Sequence, residues 1–110
     1  MQVKSEAVVR VWRIEDKSCY GPYNMSGSEV ENVTKHHNHT NGHPAPKYDK
    51  GIMRDIQESE LCGFLNLEQV YVWFTKEELD RLRDEGFYLK RVRAKRITAI
   101  GEKQILFERR

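Results

Sequence analysis

Five basic residues are packed into seven positions near the end of the sequence: Lys90, Arg91, Arg93, Lys95 and Arg96. Successive side chains of a β-strand point to opposite faces, so Arg91, Arg93 and Lys95 would share one face of an extended chain. Lys90 and Arg96 would then lie on the other face, with Val92 and Ala94. A row of cations can contact phosphates, which makes nucleic acid a candidate partner through Lys90, Arg91, Arg93 and Lys95. The simpler interpretation is a solvated strand face, neutralised by the acidic residues that precede the run.

A second candidate site consists of four histidines within eight residues: His36, His37, His39 and His43. Imidazole is a good ligand for zinc, nickel or copper, so this cluster predicts a metal site. A defined site also needs rigid positions and partners that orient each ring, and no cysteine stands at a suitable spacing. The alternative is a polar loop that happens to be rich in histidine. We expect no resident cofactor.

The third candidate is a binding site for a small anionic ligand at the end of the first predicted strand. Arg10 and Arg13 fall on opposite faces of that strand, so one of them could face a cleft. The turn Tyr20-Gly21-Pro22-Tyr23 follows, and its two aromatic rings could clamp a planar base. Packing of a ring in the protein interior is equally compatible with this pattern.

No arrangement of residues typical of catalysis is evident. We find no serine–histidine–acid or cysteine–histidine order and no glycine loop that could hold phosphates. Catalysis therefore has no positive support, and whether the protein is an enzyme is left open.

The elements that must position these residues begin with strands. Residues 7–15 are rich in β-branched and aromatic side chains, which favours a strand. Residues 87–100 and 102–108 alternate in the same way, and Gly101 stands at the turn between them, so they predict a β-hairpin. The strand at 87–100 could also act as an edge strand and form a homodimer across a two-fold axis.

Helices are predicted between the first strand and the hairpin. Residues 51–60 could form a short helix, and a second helix begins after Asn66, an acceptable N-cap. Thr75 and Glu78 form a capping box for a third helix, which Gly86 ends. The predicted fold class is therefore α+β, with a small antiparallel sheet and two or three helices on one face.

Length and composition favour one domain that spans residues 1–110. Residues 16–50 lack any periodicity and predict a long, partly flexible loop, a kind of segment that is often functional. The net charge of +2 is too mild to demand a polyanionic partner. No apolar run approaches the ~20 residues that a membrane span needs. Only two cysteines occur, which favours a reducing compartment and a cytoplasmic location.

Several short motifs, taken together, resemble one group of proteins. They are Arg13-Ile14-Glu15, Gly21-Pro22-Tyr23, His43-Pro44 with Asp49, Cys62-Gly63-Phe64, Leu67-Glu68-Gln69, Trp73-Phe74 and Lys103-Gln104-Ile105-Leu106-Phe107. The group consists of small proteins of tailed phages and prophages, and it carries no activity to transfer. The resemblance implies a protein that acts in the cytoplasm of an infected bacterium.

A fainter resemblance concerns Glu102-Lys103-Gln104, which is similar to the closing acidic motif of arginine-type ADP-ribosyltransferases. Those enzymes also place an arginine on their first strand, where Arg10 or Arg13 stands here. The second glutamate of the motif is replaced by Gln104, which lacks the carboxylate that the transfer reaction needs. The resemblance implies a degenerate NAD-like pocket that binds without reacting.

The leading hypothesis is thus a phage-type intracellular binding protein that captures a small anionic or nucleotide ligand and counteracts a host defence. Its candidate ligand-binding residues are Arg10, Arg13, Tyr20, Tyr23 and Gln104. The alternative is a protein–protein inhibitor of a host enzyme or of a nucleic-acid effector. Neither hypothesis involves a membrane.

Overall fold

The computed structural model describes residues 9–22, 33–34, 37 and 43–110. Tyr23, His36 and His39 lie outside these residues, as does about half of the predicted 16–50 loop. Within the described ranges, no helix is both long and apolar enough to cross a membrane.

The described part of the chain contains a four-stranded antiparallel sheet and two α-helices, which confirms the α+β class. The strands are β1 (Val9–Glu15), β2 (Glu60–Gly63), β3 (Tyr88–Ile100) and β4 (Ile105–Arg109), and they are arranged in the order β1-β3-β4-β2. The predicted hairpin is β3–β4. The predicted edge strand is wrong, because β3 lies between β1 and β4. Whether the protein dimerises stays a prediction.

The sheet curls until its two outer strands meet. Trp12 and Phe64 exchange both backbone hydrogen bonds, at 2.8 and 2.7 Å, and so connect β1 to the residue after β2. Gly63 permits this approach, because a Cβ atom there would lie 2.9 Å from the carbonyl oxygen of Trp12 and from the ring of Phe107. The side chains on the inner face of the curl therefore pack against one another across all four strands.

Two apolar clusters occupy the two faces of β1. The inner cluster contains Val11, Val92, Ala94, Ile105 and Phe107, all from the sheet. The second cluster joins the other face of β1 to the helices, and its members are Ile14, Val33, Phe64, Val70, Trp73, Phe74, Leu82 and Phe87. Each face of β1 is thus fixed by its own set of contacts, which makes the direction of every β1 side chain well defined.

The helices begin where their capping residues predict. Helix α1 (Leu67–Trp73) starts after Asn66, whose side chain accepts a hydrogen bond from the backbone N–H of Gln69. Helix α2 (Lys76–Asp84) has the predicted capping box between Thr75 and Glu78. Gly86 ends this segment with a φ of 89°, a conformation that glycine adopts without steric cost.

The helix predicted for residues 51–60 is wrong. Gly51 and Met53 have φ values of 94° and 51°, which a right-handed helix does not contain. The backbone N–H groups of Ile52 and Met53 instead donate to the carbonyl of Asp49 and form a tight turn. Of the helices and strands described here, only β2 reaches into residues 51–60, and it starts at Glu60.

A buried carboxylate ties the middle of the chain to the β3–β4 turn. Asp49 is 1% exposed, and its carboxylate accepts hydrogen bonds from the backbone N–H groups of Glu102, Lys103 and Gln104, at 2.9 to 3.2 Å. Gln104 adds a bond of 2.7 Å from its side-chain amide to the carbonyl of Pro44. A short 3-10 helix (Pro46–Tyr48) precedes Asp49 and holds it in place.

Candidate anion-binding surface

The outer face of the β1–β3 pair carries basic residues from both strands. The register places Arg10 opposite Arg93 and Trp12 opposite Arg91. Arg10, Arg91 and Arg93 are exposed, whereas Val92 and Ala94, between them in sequence, are buried on the inner face. We call the set Arg10, Trp12, Arg91, Arg93 and Lys95 the basic face.

Lys95 extends the basic face because of an irregularity in β3. Between Ala94 and Arg96 the pairing with β4 shifts by one residue, so Lys95 is the extra residue of a β-bulge. Both Lys95 and Arg96 are exposed as a result. The prediction that Arg96 shares the buried face with Val92 and Ala94 is therefore wrong, because strict alternation stops at the bulge.

The helices cover one end of this outer face and leave the other end open. Ile14 of β1 belongs to the cluster that joins the sheet to the helices, and Leu89 of β3 packs against it. Trp12 is half-buried at the border of the covered region, and the guanidinium carbon of Arg91 lies 5.4 Å from the centre of its ring. The basic face therefore begins with an aromatic ring and a cation in contact and continues with cations alone.

Most charges of the basic face have no carboxylate partner among the described residues, although Lys95 contributes, after Arg96, to the lowered pKa of Glu108. Within those ranges no carboxylate forms an ion pair with Arg10, Arg91, Arg93 or Lys95, whereas Arg96 is paired with Glu108. Like charges directly opposite each other on neighbouring strands are destabilising, by roughly 0.2–1 kcal/mol. Arg10 and Arg93 therefore form a cross-strand pair that the fold itself does not need.

Arg13, on the inner face, has a very different environment. Its guanidinium is nearly buried and donates to the carboxylate of Glu15 at 3.1 Å and to the carbonyl of Cys62 at 2.6 Å. Arg109 donates two further bonds to Glu15, at 2.8 and 2.9 Å. Burial alone would raise the pKa of Glu15, but the hydrogen bonds and charges of Arg109 and Arg13 hold it below its usual value. We call these three residues the buried network.

The turn after β1 folds back toward the buried network. The side chain of Asp16 accepts hydrogen bonds from the backbone N–H groups of Ser18 and Tyr20, both at 2.9 Å. An added Cβ on Gly21 would lie 3.3 Å from a terminal nitrogen of Arg13. The structure thus brings Arg13 close to the Tyr20-Gly21 turn, with the Tyr20 ring 57% exposed.

The remaining predicted ligand residues are separated by these contacts. Arg10 lies on the opposite face of β1 from Arg13, as its position in the strand predicts. Gln104 belongs to the β3–β4 turn, where it is 4% exposed and bound to Pro44. Lys90 is opposite Arg13 in the register, and its ammonium donates to the carbonyl of Asp16 at 3.4 Å, so Lys90 is not part of the basic face.

Two of the four histidines are described, and they stack on each other. The ring centres of His37 and His43 are 3.9 Å apart, with an angle of 5° between the planes. Nε2 of His37 lies 2.8 Å from the carboxylate of Glu78, and Nε2 of His43 lies 2.6 Å from the carbonyl of Trp73. Among the described residues no group of three or more metal-binding side chains is present. A site that includes His36 and His39 stays a prediction.

The sequence patterns identify every cation of the basic face but not their assembly. Arg10 and the run at 90–96 are recognisable separately, whereas only the register between β1 and β3 joins them. Trp12 was not a candidate. The signal that could have found it is alternation, because Trp12 must share a face with Arg10 on any strand through residues 9–15.

Comparison with known proteins gives one result for the whole chain. A family model described as Bacteriophage T4 Y00F protein matches residues 1–110. No curated protein and no solved structure matches the chain. The similarity to phage proteins is confirmed at the level of the family, and nothing in the comparisons supports the ADP-ribosyltransferase motif.

Proposed function

The chain belongs to the Bacteriophage T4 Y00F protein family, and on that basis we propose that it is a small phage binding protein that captures phosphate-bearing ligands on its basic face. In the cytoplasm of the infected bacterium, such capture would withdraw a nucleotide from a host defence that depends on it. The family description assigns no ligand, so the proposal depends on the chemistry of the surface.

The observation that carries the proposal is the Arg10–Arg93 pair. Arg10 and Arg93 are directly opposite each other in the strand register, both residues are exposed, and no described carboxylate pairs with either. A guanidinium group binds phosphate oxygens through two parallel hydrogen bonds. A phosphate bound to both arginines would therefore offset the repulsion between their two positive charges. An anion is therefore the partner that this pair lacks.

The rim of the basic face supplies a place for a base. Arg91 lies over the ring of Trp12, and both a tryptophan ring and a guanidinium plane can stack on a nucleobase. A nucleotide with its phosphate between Arg10 and Arg93 would have its base beside the Trp12–Arg91 pair, two residue pairs further along the register and on the same face. Nucleotides are therefore the class of small anion that we expect to bind.

The other residues of the predicted ligand site are not assigned a contact with the ligand in this proposal. The guanidinium of Arg13 is bound to Glu15 and Cys62, and the amide of Gln104 is bound to Pro44. Tyr20 lies on the turn beside Arg13, and Tyr23 lies outside the described residues. We therefore assign phosphate contact to Arg10 and not to Arg13.

A calorimetric titration tests this function. Wild-type protein would be titrated at low salt with ATP, NAD and ADP-ribose, and compared with the double variant Arg10→Gln/Arg93→Gln. Each hydrogen bond to a charged group contributes about 1.5–3 kcal/mol, so we expect the double variant to bind at least about tenfold more weakly. Lys47→Gln is the matched control, because it removes an exposed positive charge from the short 3-10 helix. Equal binding by all three proteins would contradict the proposal.

A second candidate function is inhibition of a host protein. On helix α1, Tyr71 and Val72 are 58% and 62% exposed, and adjacent exposed apolar side chains are typical of binding surfaces for other proteins. The test is a stoichiometric complex with one bacterial protein that Val72→Glu abolishes and Arg10→Gln/Arg93→Gln does not. The reverse pattern of sensitivity would favour the basic face.

A further inference from the structure

The basic face is longer than one nucleotide. Residues two apart on a strand are separated by about 6.6 Å, so Arg91, Arg93 and Lys95 form a row of about 13 Å before the bulge is taken into account. The phosphates of a mononucleotide are contiguous and would use one or two of these cations. A row at this spacing matches instead the repeat of successive phosphates along an extended nucleic-acid strand.

From this row we infer that the ligand of the basic face is a single strand of RNA or DNA, bound along β3 with its backbone on Arg93, Lys95 and Arg10. This inference rests on the proposed function, because it names the ligand class of the same surface. The row has three positions along β3, and Arg10 lies opposite one of them, so it corresponds to a footprint of about three nucleotides.

Base stacking at one end of the row fits a strand whose bases are unpaired. The guanidinium carbon of Arg91 lies 5.4 Å from the centre of the Trp12 ring at the border of the helix-covered region, and proteins that bind single strands combine aromatic platforms with a positively charged groove. A base in a duplex is already stacked and paired, so it could not use this platform without leaving the duplex.

The architecture also disfavours a duplex. A two-stranded β-ribbon can enter the major groove when it projects from the protein. Here β1 and β3 belong to a curled sheet, and the helices pack on the same outer face through Ile14 and Leu89. The exposed part of the outer face, at Arg10, Arg91 and Arg93, lies beside the helices and does not project from the protein, which suits a flexible single strand.

Fluorescence anisotropy with labelled oligonucleotides tests the inference. The probes are twelve-residue oligo(dT), oligo(U) and a twelve-base-pair duplex, with dTMP and ATP as competitors. We expect a single strand to bind at least tenfold more tightly than the duplex or either mononucleotide. The three phosphate contacts predict a slope of about −2 for log K against log salt, or a loss of about 20-fold between 50 and 200 mM salt. RNA and DNA are separate arms, and tight binding of either supports the inference.

The variants identify the surface. Arg93→Gln should weaken oligonucleotide binding severalfold and make the salt slope shallower by about 0.7, whereas Lys47→Gln should change neither quantity. Circular dichroism would confirm that both variants are folded. If mononucleotides compete as well as oligonucleotides, or if the duplex binds as tightly, the single-strand inference is wrong and the proposed function stands. If no nucleotide or oligonucleotide binds, both are wrong.

Discussion

Arg10 and Arg13 stand three residues apart on one strand and illustrate two uses of arginine. Arg13 faces inward, where Glu15 and the carbonyl of Cys62 accept its hydrogen bonds and Arg109 shares the same carboxylate. Arg10 faces outward, opposite another arginine and with no described acceptor. The strand alternation separates the two residues, and the acceptors around each decide what it can do.

The comparison shows which arginine the fold needs. Removal of one partner from a buried ion pair leaves an uncompensated charge in the interior, so we expect the loss of Glu15 to destabilise the fold, through Arg13 more than through Arg109, whose side chain is 34% exposed. The Arg10–Arg93 pair has the opposite character, because two like charges lie opposite each other and we expect the protein to fold at least as well without them. Residues that a fold tolerates at a cost in stability are candidates for function.

The largest effect should come from removing the shared carboxylate of the buried network. Glu15 is 1% exposed and accepts hydrogen bonds from both arginines, so Glu15→Gln leaves two guanidinium groups without their counter-ion. We expect a loss of about 3–5 kcal/mol in the free energy of unfolding, measured by urea denaturation. Glu58→Gln removes an exposed carboxylate as the control and should stay within about 0.5 kcal/mol of wild type. A similar small loss for Glu15→Gln would show that the network is not needed.

Low pH should remove part of the difference in stability between wild type and Glu15→Gln. The pKa of Glu15 is lowered in the folded protein, so its contribution to stability is complete above the ordinary carboxyl pKa of about 4.5 and is lost as the pH falls through the folded value. Urea midpoints measured from pH 7 down to pH 2.5 should therefore converge for wild type and Glu15→Gln. A constant difference across this range would contradict the lowered pKa.

A smaller loss of stability is expected from a change at Gly63, next to the Trp12–Phe64 backbone pair that joins β1 to the residue after β2. Gly63→Ala would place a methyl group 2.9 Å from the backbone oxygen of Trp12 and from the ring of Phe107. The backbone oxygen cannot move without breaking the Trp12–Phe64 pair, so we expect a loss of about 1–3 kcal/mol by thermal or urea unfolding. Unchanged stability would mean that β1 and β2 can separate at this point without cost.

The smallest effect on stability should come from the basic face and should have the opposite sign. Arg93→Glu replaces a like-charge pair with an opposite-charge pair across from Arg10, which should stabilise the fold by about 0.2–1 kcal/mol. The same variant should bind no nucleotide or oligonucleotide. Arg93→Gln is the matched neutral variant and should fall between wild type and Arg93→Glu in both measurements. Tight ligand binding by Arg93→Glu would show that the Arg10–Arg93 pair is not needed for ligand binding.

Local signals account for the parts of the fold that sequence could predict. The Asn66 cap, the Thr75–Glu78 capping box and the alternation of β1 and β3 depend on residues close in sequence, and each is confirmed. The turn at 51–53 was missed, because its conformation is imposed by Asp49 and by the β3–β4 turn some fifty residues later. The sheet order was likewise beyond a local pattern, since β1 pairs with a strand at the other end of the chain.

The cations of the basic face could be predicted from the sequence, but their assembly into one surface could not. The basic run and the opposite directions of Arg10 and Arg13 follow from alternation alone. Two further facts required tertiary structure: the register that brings Arg10 to Arg93, and the acceptors that occupy Arg13. The bulge at Lys95 also escaped the alternation rule, and it changed the face on which Arg96 lies.

The pairing of β1 with β3 has a consequence for synthesis of the protein. The nearest pair between β1 and β3 joins Glu15 to Tyr88, so a nascent chain must extend by more than seventy residues before β1 can pair with β3, and until then its only described backbone partner outside the strand order is Phe64. At about 5–20 residues per second, that interval lasts roughly 4 to 15 s on the ribosome. During this interval the carboxylate of Glu15 and the guanidinium of Arg13, two residues apart in sequence, can already pair with each other before β1 and β3 form their ladder.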